Sequence, residues 1–155
     1  MAVWDGEVRP AGHGDREQVA VLAAELAQSF PFSPEGFRAC YPALAADPGA
    51  RLLLAANGPE IVGYLLGFRH LTFYAGGPVA WVEELVVRPA DRGLGVGAAL
   101  MSAFEDWAAG QRCALVAVAT RRAAPFYRAV GYEESAAYFR KVLADAGSAT
   151  GGTAG

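Results

Sequence analysis

A glycine-rich turn between a strand and a helix constrains this chain more than any other feature. The segment reads Val86-Val87-Arg88-Pro89-Ala90-Asp91-Arg92-Gly93-Leu94-Gly95-Val96-Gly97, in which proline ends an apolar strand and a helical pattern begins near Gly95. Glycines at 93, 95 and 97 let successive backbone N–H groups approach an anion closely. The helix start adds unpaired donors and the positive end of its dipole, and Arg92 adds a full charge. The turn therefore predicts a pyrophosphate-binding site.

The periodicity around this turn predicts one α/β domain, residues 1–144, followed by a flexible small-residue tail at 145–155. Asp15 and Ser33 are expected to cap two early helices, with Pro34 at the first position of the second. Asn57-Gly58 predicts a hairpin turn, and Gly131 is expected to close a short helix. The predicted strands are 7–10, 51–56, 61–68, 79–87, 113–119 and 137–143, and the predicted helices include 95–109 and 124–130. The apolar run at 113–119 is typical of a strand at a sheet centre.

Composition excludes several classes of function. The formal charge of −3 disfavours binding to a nucleic-acid backbone. Cys40 and Cys113 form neither a metal-binding spacing nor a disulfide framework, so no metal is expected. The first residues lack the regions of a signal peptide and no apolar stretch spans a bilayer, so we expect a cytoplasmic protein with no membrane partner. Lys141 is the only lysine, a skew typical of GC-rich, bacterial-like codon usage.

Two nucleotide-binding alternatives compete with coenzyme A for the glycine turn. Residues 93–98 formally satisfy the dinucleotide fingerprint, but the next strand lacks the acidic residue that holds the ribose. A P-loop is excluded because no Gly-Lys-Ser/Thr follows. An NAD(P)-binding enzyme thus stays the less favoured alternative, and coenzyme A fits better.

Two motifs in order resemble the GNAT superfamily of acyl-CoA-dependent N-acyltransferases. The first is Val87-x-Pro89-x-x-Arg92-x-x-Gly95-x-Gly97, which is similar to the acyl-CoA signature of that superfamily. The second is Ala124-Pro125-Phe126-Tyr127-Arg128-Ala129-Val130-Gly131-Tyr132, which resembles its a-x-x-F-Y-x-x-x-G-F/Y segment. The order of elements also matches, up to residue 143.

The resemblance implies a mixed, mostly antiparallel sheet flanked by helices, with a V-shaped splay between two central parallel strands. It implies acetyl-CoA as co-substrate, with the pantetheine arm paired to backbone groups of the third meander strand and the pyrophosphate on the glycine turn. The implied cofactor-binding residues are Leu85, Val86, Val87, Arg92, Gly93, Leu94, Gly95, Val96, Gly97 and Ala98.

The resemblance also implies roles for the reacting groups. Tyr127 aligns with the tyrosine that stands near the thioester sulfur, and a phenol with a pKa of about 10 can donate a proton at neutral pH. Glu83 and Glu84 are adjacent on one strand, so regular alternation would point them to opposite faces. In similar enzymes the bases that face the cleft lie on the strand face of residues 81 and 83, and this parity favours Glu83 as the base, directly or through a water. Glu84 is the alternative, and His70 is a fallback. A backbone N–H near Leu85 is the expected oxyanion donor.

The acceptor pocket is the least determined part. His70, Phe73, Tyr74 and Trp81 lie on or beside the hairpin expected to form its floor, which suggests an aromatic substrate-binding site. The chain departs from the family pattern at Thr120, where many members have asparagine, and Arg121 and Arg122 follow it.

The predicted function is acetyl transfer from acetyl-CoA to a primary amine by direct attack. The acceptor is a small-molecule amine or a peptide or protein amine, and a homodimer is possible. The alternative from another class is a non-catalytic module that senses acyl-CoA.

Overall fold

The computed structural model describes residues 3–27 and 30–143. The predicted tail at 145–155 lies outside the described residues. The elements are β1 (Glu7–Pro10), a 3-10 turn (His13–Asp15), α1 (Arg16–Leu26), α2 (Pro34–Ala46), β2 (Ala50–Asn57), β3 (Glu60–Thr72), β4 (Gly77–Val87), a second 3-10 turn (Pro89–Asp91), α3 (Val96–Gly110), β5 (Val116–Val118) and α4 (Ala124–Ala129). None of the described helices has the length and apolar character needed to cross a bilayer.

The strands form one sheet in chain order, β1-β2-β3-β4-β5, with helices on both faces. The first three pairings are antiparallel, and β4 and β5 run parallel. One face packs against α3 through an α3-side core that includes Leu53, Leu65, Val82, Leu100 and Phe104. The other face packs against α1 and α2 through an α1/α2-side core that includes Val19, Leu22, Tyr41, Leu54 and Tyr64. This is the mixed architecture that the sequence predicted.

The parallel pair separates after a short ladder. Only residues 80–82 of β4 pair with β5, and the last paired residues are Val82 and Val118. Beyond them β4 continues to Val87, while the chain leaves β5 toward α4. The edge of β4 over residues 85–87 therefore has no neighbouring strand on that side among the described residues, and a cleft opens there.

A β-bulge interrupts β4 immediately before this opening. Gly67 lies opposite Val82 and Leu66 lies opposite Glu84, so Glu83 has no partner on β3. A bulge adds one residue and breaks the two-residue alternation of side chains. Val82 and Leu85, although three positions apart, accordingly both pack in the α3-side core. The assumption of regular alternation at Glu83 and Glu84 is therefore wrong.

The structure confirms the predicted start of α2 and differs from the predictions at Asp15 and at the turn between β2 and β3. The Ser33 hydroxyl accepts from the Gly36 N–H and Pro34 begins α2, as predicted. The Asp15 carboxylate caps no N–H of α1. It instead accepts hydrogen bonds from Nη1 and Nη2 of Arg9, each at 2.8 Å, and from the Gly12 N–H at 2.7 Å. The two residues between β2 and β3 are Gly58-Pro59, one position later than predicted.

The last two predicted strands differ from the structure. β5 covers three residues rather than 113–119, and among the described residues it forms the edge of the sheet rather than its centre. The strand predicted over 137–143 is wrong, since that segment has no regular secondary structure. Its apolar residues occur as the adjacent pairs Tyr138-Phe139 and Val142-Leu143, which in a strand would need cover on both faces. The short β5 offers no such support, and Phe139 and Leu143 stay 89% and 92% exposed.

Candidate active site

A cleft of about 670 Å³ occupies the opening beside β4. Its walls come from the end of β4, the glycine turn with the start of α3, the helix α4 and the end of α1. The lining residues are Glu25, Leu26, Leu85, Val86, Val87, Asp91, Arg92, Gly93, Gly95, Val96, Gly97, Ala98, Ala123, Phe126, Tyr127, Ala129 and Val130. All of the predicted cofactor-binding residues except Leu94 therefore line one cleft.

The three glycines of the turn serve two different purposes. Gly93 and Gly95 have φ of +78° and +93°, values that residues with a Cβ rarely adopt. Gly97 lies inside α3, and a Cβ built there would stand 3.1 Å from Cζ of Phe126. The first two glycines let the backbone turn, and the third lets α4 pack close to α3.

The start of α3 presents free donors to the cleft. The first helical bond beyond the turn runs from the Ala99 N–H to the Gly95 carbonyl at 3.0 Å. The N–H groups of Val96, Gly97 and Ala98 have no acceptor in the described part of the chain, as expected for the first turn of a helix. Together with the helix dipole they favour an anion at this end of the cleft. Leu94 faces elsewhere, and its carbonyl accepts the Trp4 N–H at 2.9 Å.

The free edge of β4 presents backbone groups to the same cleft. Arg88 donates its N–H to the Val62 carbonyl of β3 at 2.8 Å. Because alternate residues of a strand direct their N–H and C=O groups to opposite edges, those of Val87 and Leu85 point away from β3 and into the opening. The Val87 carbonyl there accepts Nε of Arg92 at 3.0 Å. The Leu85 N–H and C=O and the Val87 N–H remain available to an extended ligand, while Val86 offers its side chain.

An ion-pair network that the sequence did not reveal holds the turn in place. Asp91 is 8% exposed and accepts Nε of Arg88 at 2.6 Å. The same guanidinium also pairs with Glu60 at the start of β3. These two carboxylates raise the pKa of Arg88, which therefore stays charged. The contact between Glu60 and Arg88 joins residues far apart in the sequence, so no local pattern predicts it.

Tyr127 faces the cleft from α4. Its side chain is 9% exposed and belongs to the α3-side core. Its ring lies 5.0 Å from that of Phe126 and 6.0 Å, edge-on, from that of Tyr132. Burial raises the pKa of Tyr127, so the phenol keeps its proton at neutral pH. Its hydroxyl has no hydrogen-bond partner among the described residues, which leaves it free to donate to a ligand.

The two glutamates of β4 have different surroundings, and neither lines the cleft. Glu84 is half-buried, and its Oε1 accepts the hydroxyl of Tyr64 at 2.7 Å. Glu83 is the unpaired residue of the bulge and is exposed. The parity argument that favoured Glu83 thus does not apply to this strand.

The four predicted acceptor residues lie outside the cleft. His70, Phe73 and Tyr74 are exposed at the far end of the β3–β4 hairpin, where Phe73 is fully exposed. Trp81 is half-buried, and its ring stacks on Tyr138 with centroids 6.2 Å apart. None of the four lines the cleft.

The loop before α4 contains the positions where the sequence departs from the family pattern, and α1 contains cleft residues that the sequence did not mark. Thr120 accepts the Ala123 N–H at 2.9 Å and supports the start of α4, while Arg121 and Arg122 are exposed. Glu25 and Leu26 form a cleft wall that sequence reasoning missed. Nothing in the local pattern of α1 marks them, because only the packing of α1 on the sheet places them near the glycine turn.

Known proteins resemble this chain in sequence and in structure. The family model described as "Acetyltransferase (GNAT) family" matches residues 19–132. The chain is 29% identical over 141 residues to aminoalkylphosphonate N-acetyltransferase of Salmonella typhimurium, covering 88% of this chain and 91% of that protein. It is 35% identical over 111 residues to aminoglycoside N(6')-acetyltransferase type 1 of Stenotrophomonas maltophilia, covering 64% and 71%.

Among solved structures, the chain resembles AAC(6')-Iy in complex with the bisubstrate analog CoA-S-monomethyl-acetylneamine. The TM-score is 0.76 at 19% identity, and the likeness covers 90% of this chain and all of that one. At this identity the likeness concerns the fold.

Proposed function

The chain belongs to the GNAT family of acetyltransferases, and from that premise we propose that it transfers the acetyl group of acetyl-CoA to the primary amine of a small molecule. The observation that carries the proposal is a single cleft that joins the anion-binding turn, the free edge of β4 and the buried phenol of Tyr127.

The residues of the cleft fit acetyl-CoA in three chemically different ways. The N–H groups at the start of α3 and the charge of Arg92 suit a pyrophosphate. The Leu85 C=O and the Val87 N–H suit the amides of a pantetheine arm, which would add to the sheet as an extra strand. Ala123, Phe126 and Val130 provide apolar surface along that path.

Catalysis needs an oxyanion donor, an acid and a base. The Leu85 N–H points into the opening and would stabilise charge that develops on the thioester oxygen. Tyr127 would donate its proton to the leaving thiolate, since its phenol is neutral at pH 7 and its hydroxyl has no other partner among the described residues. A carboxylate of β4, either Glu83 or Glu84, would accept the proton of the amine directly or through a water.

The relatives favour a small-molecule amine over a peptide as the acceptor. One is named for aminoalkylphosphonates and the other for aminoglycosides, and both of these carry primary amines. The formal charge of this chain is −3, and the exposed carboxylate of Glu25 lies at the cleft wall. Both features attract an ammonium group.

Replacing Tyr127 by phenylalanine tests the proposal. Loss of a positioned general acid costs about 10²- to 10⁴-fold in rate, so kcat for thiol release is expected to fall at least 100-fold. The dissociation constant of CoA, measured by calorimetry, is expected to stay within about threefold because only one oxygen is lost. Acceptors are first identified by screening aminoalkylphosphonates, aminoglycosides, polyamines and peptides with the wild-type protein.

Tyr41→Phe is the matched control. Tyr41 is also buried, and its hydroxyl donates to the Gly12 carbonyl at 2.7 Å, outside the cleft. Unchanged turnover in Tyr127→Phe would remove this residue from the mechanism. Binding of CoA with no turnover of any amine would favour the sensing module, and thermal stabilisation by NAD(P) but not by CoA would favour the dinucleotide enzyme.

A further inference from the structure

Two adjacent glutamates on β4 leave the base of the proposed reaction unassigned, and the structure distinguishes them. We infer that Glu84 is the carboxylate that takes the proton of the amine, and that Tyr64 is a positioning residue that holds it. The inference rests on the proposed function and goes beyond it, because Tyr64 stands on β3 and no sequence motif includes it.

The register of the sheet brings Tyr64 and Glu84 to the same face. Tyr64 lies opposite Val86, and Leu66 lies opposite Glu84. Residues two apart on a strand share a face, so all four side chains lie on the face that carries α1 and α2. The hydroxyl of Tyr64 reaches diagonally across the strands and donates to Oε1 of Glu84 at 2.7 Å.

The hydroxyl donor is rigidly held and keeps its proton. Tyr64 is 2% exposed and packs in the α1/α2-side core, which restricts the ring to this position. Burial, and after it the charge of Glu84, raise the pKa of Tyr64 above its usual value. The phenol therefore remains a donor to the ionised carboxylate, a charge-assisted bond that is stronger than a neutral one.

The other oxygen of Glu84 is left for the substrate. Glu84 is half-buried, and its Oε2 has no hydrogen-bond partner among the described residues. One oxygen thus fixes the direction of the carboxylate and the second can accept a proton. Glu83 has no counterpart to this arrangement, because it is exposed and its side chain makes no hydrogen bond within the described residues.

Glu84 does not line the cleft itself, but the two residues that follow it on β4, Leu85 and Val86, do. Val86, on the same face, lines the cleft together with Glu25 and Leu26. Glu84 lies two residues before Val86, a rise of about 7 Å along the strand. The next residue after Glu84 is Leu85, whose N–H is the proposed oxyanion donor. An amine that approached from the face carrying α1 and α2 would therefore meet the Glu84 carboxylate two residues from the cleft wall.

The step balances with the groups named. Glu84 takes one proton from the ammonium group and frees the nitrogen lone pair. The nitrogen forms a bond to the acetyl carbon, the C–S bond breaks, and its electron pair leaves with the sulfur. The sulfur takes the proton of Tyr127, and the amide nitrogen releases its second proton to solvent.

The test measures kcat and KM for Tyr64→Phe, Glu84→Gln, Glu83→Gln and the double variant Tyr64→Phe/Glu84→Gln. Glu84→Gln is expected to lower kcat about 100-fold, at least tenfold more than Glu83→Gln does. Tyr64→Phe is expected to lower kcat about tenfold, with the KM for acetyl-CoA within twofold, since only the direction of the base is lost. In the double variant, the Tyr64 change is expected to have less than a twofold further effect, because the group it positions is already absent.

Several outcomes would overturn the assignment. If Tyr64→Phe lowers kcat by the same factor with Glu84 and with Gln at position 84, Tyr64 has a merely structural role. The melting temperatures of all variants measure such a structural effect separately. A larger loss in Glu83→Gln than in Glu84→Gln would make Glu83 the base. If the wild-type protein turns over and both Tyr64→Phe and Glu84→Gln match it, the inference fails while the proposed function stands. Absence of turnover by the wild-type protein with every amine would overturn both.

Discussion

Substitution of Gly95 by alanine separates the backbone geometry of the glycine turn from the chemistry of its ligand. Gly95 has φ of +93° and precedes α3 directly. A Cβ at this position would meet no atom within 4 Å, so the substitution causes no steric clash with neighbouring groups. Its whole effect comes from the conformational preference of the backbone, which for an L-residue disfavours the left-handed region.

The expected magnitude follows from that preference. A non-glycine residue in the left-handed region costs about 1–2 kcal/mol, and +93° lies beyond the range of about +50° to +70° where alanine is tolerated. We therefore take the upper value, about 2 kcal/mol. If the fold keeps its geometry, the free energy of unfolding falls by that amount, which lowers Tm by about 4–8 °C in a chain of this size.

The backbone has one other way to respond. It relieves the strain by rotating the peptide groups of the turn, which misdirects the N–H groups of Val96 and Gly97. Stability then changes little and the affinity for CoA falls instead, by up to about 30-fold for 2 kcal/mol. The loss is thus shared between Tm and the dissociation constant.

The assay measures both quantities, and the chain offers a matched control. Gly58, in the turn after β2, has φ of +58° and also has open space around its Cβ position. Gly58→Ala is expected to lose about 1 kcal/mol of stability and no affinity for CoA, because this turn does not line the cleft. If Gly95→Ala keeps both the wild-type Tm and the wild-type affinity while Gly58→Ala is destabilised, the conformational argument is wrong.

Two further substitutions test other contacts. Gly97→Ala is expected to push the ring of Phe126 by a few tenths of an ångström and so to displace α4. The displacement is expected to lower kcat about three- to tenfold, with kcat and the affinity for CoA measured on the same protein. A wild-type kcat would contradict this prediction. Asp15→Asn removes the charge that holds Arg9 and is expected to destabilise the fold by about 1–2 kcal/mol at neutral pH. The Arg9 guanidinium lowers the pKa of Asp15, so this stability is present above the usual pKa near 3.9 and is lost as pH falls through the lowered value. Urea titrations of both proteins from pH 7 to pH 2 are expected to converge at the acid end, and a constant difference would refute the sign.

The sequence by itself determined the features that depend on short-range rules. Pro34 after Ser33 predicts the start of α2 because both residues act on the first turn of the helix that they begin. The glycines at 93 and 95 predict the turn because φ is a property of the residue itself. The two motifs predicted the family and contain most of the residues that line the cleft, since both lie in continuous segments.

Only the tertiary structure decided the features that depend on partners far along the chain. The pairing of β3 with β4 places the bulge at Glu83 and brings Tyr64 to Glu84, so the regular alternation that favoured Glu83 in the sequence does not apply. The packing of α4 on α3 gives Gly97 its role, and the packing of α1 on the sheet brings Glu25 to the cleft. The segment 137–143 shows the converse, because a strand needs a neighbouring edge as well as apolar residues, and the short β5 does not provide one.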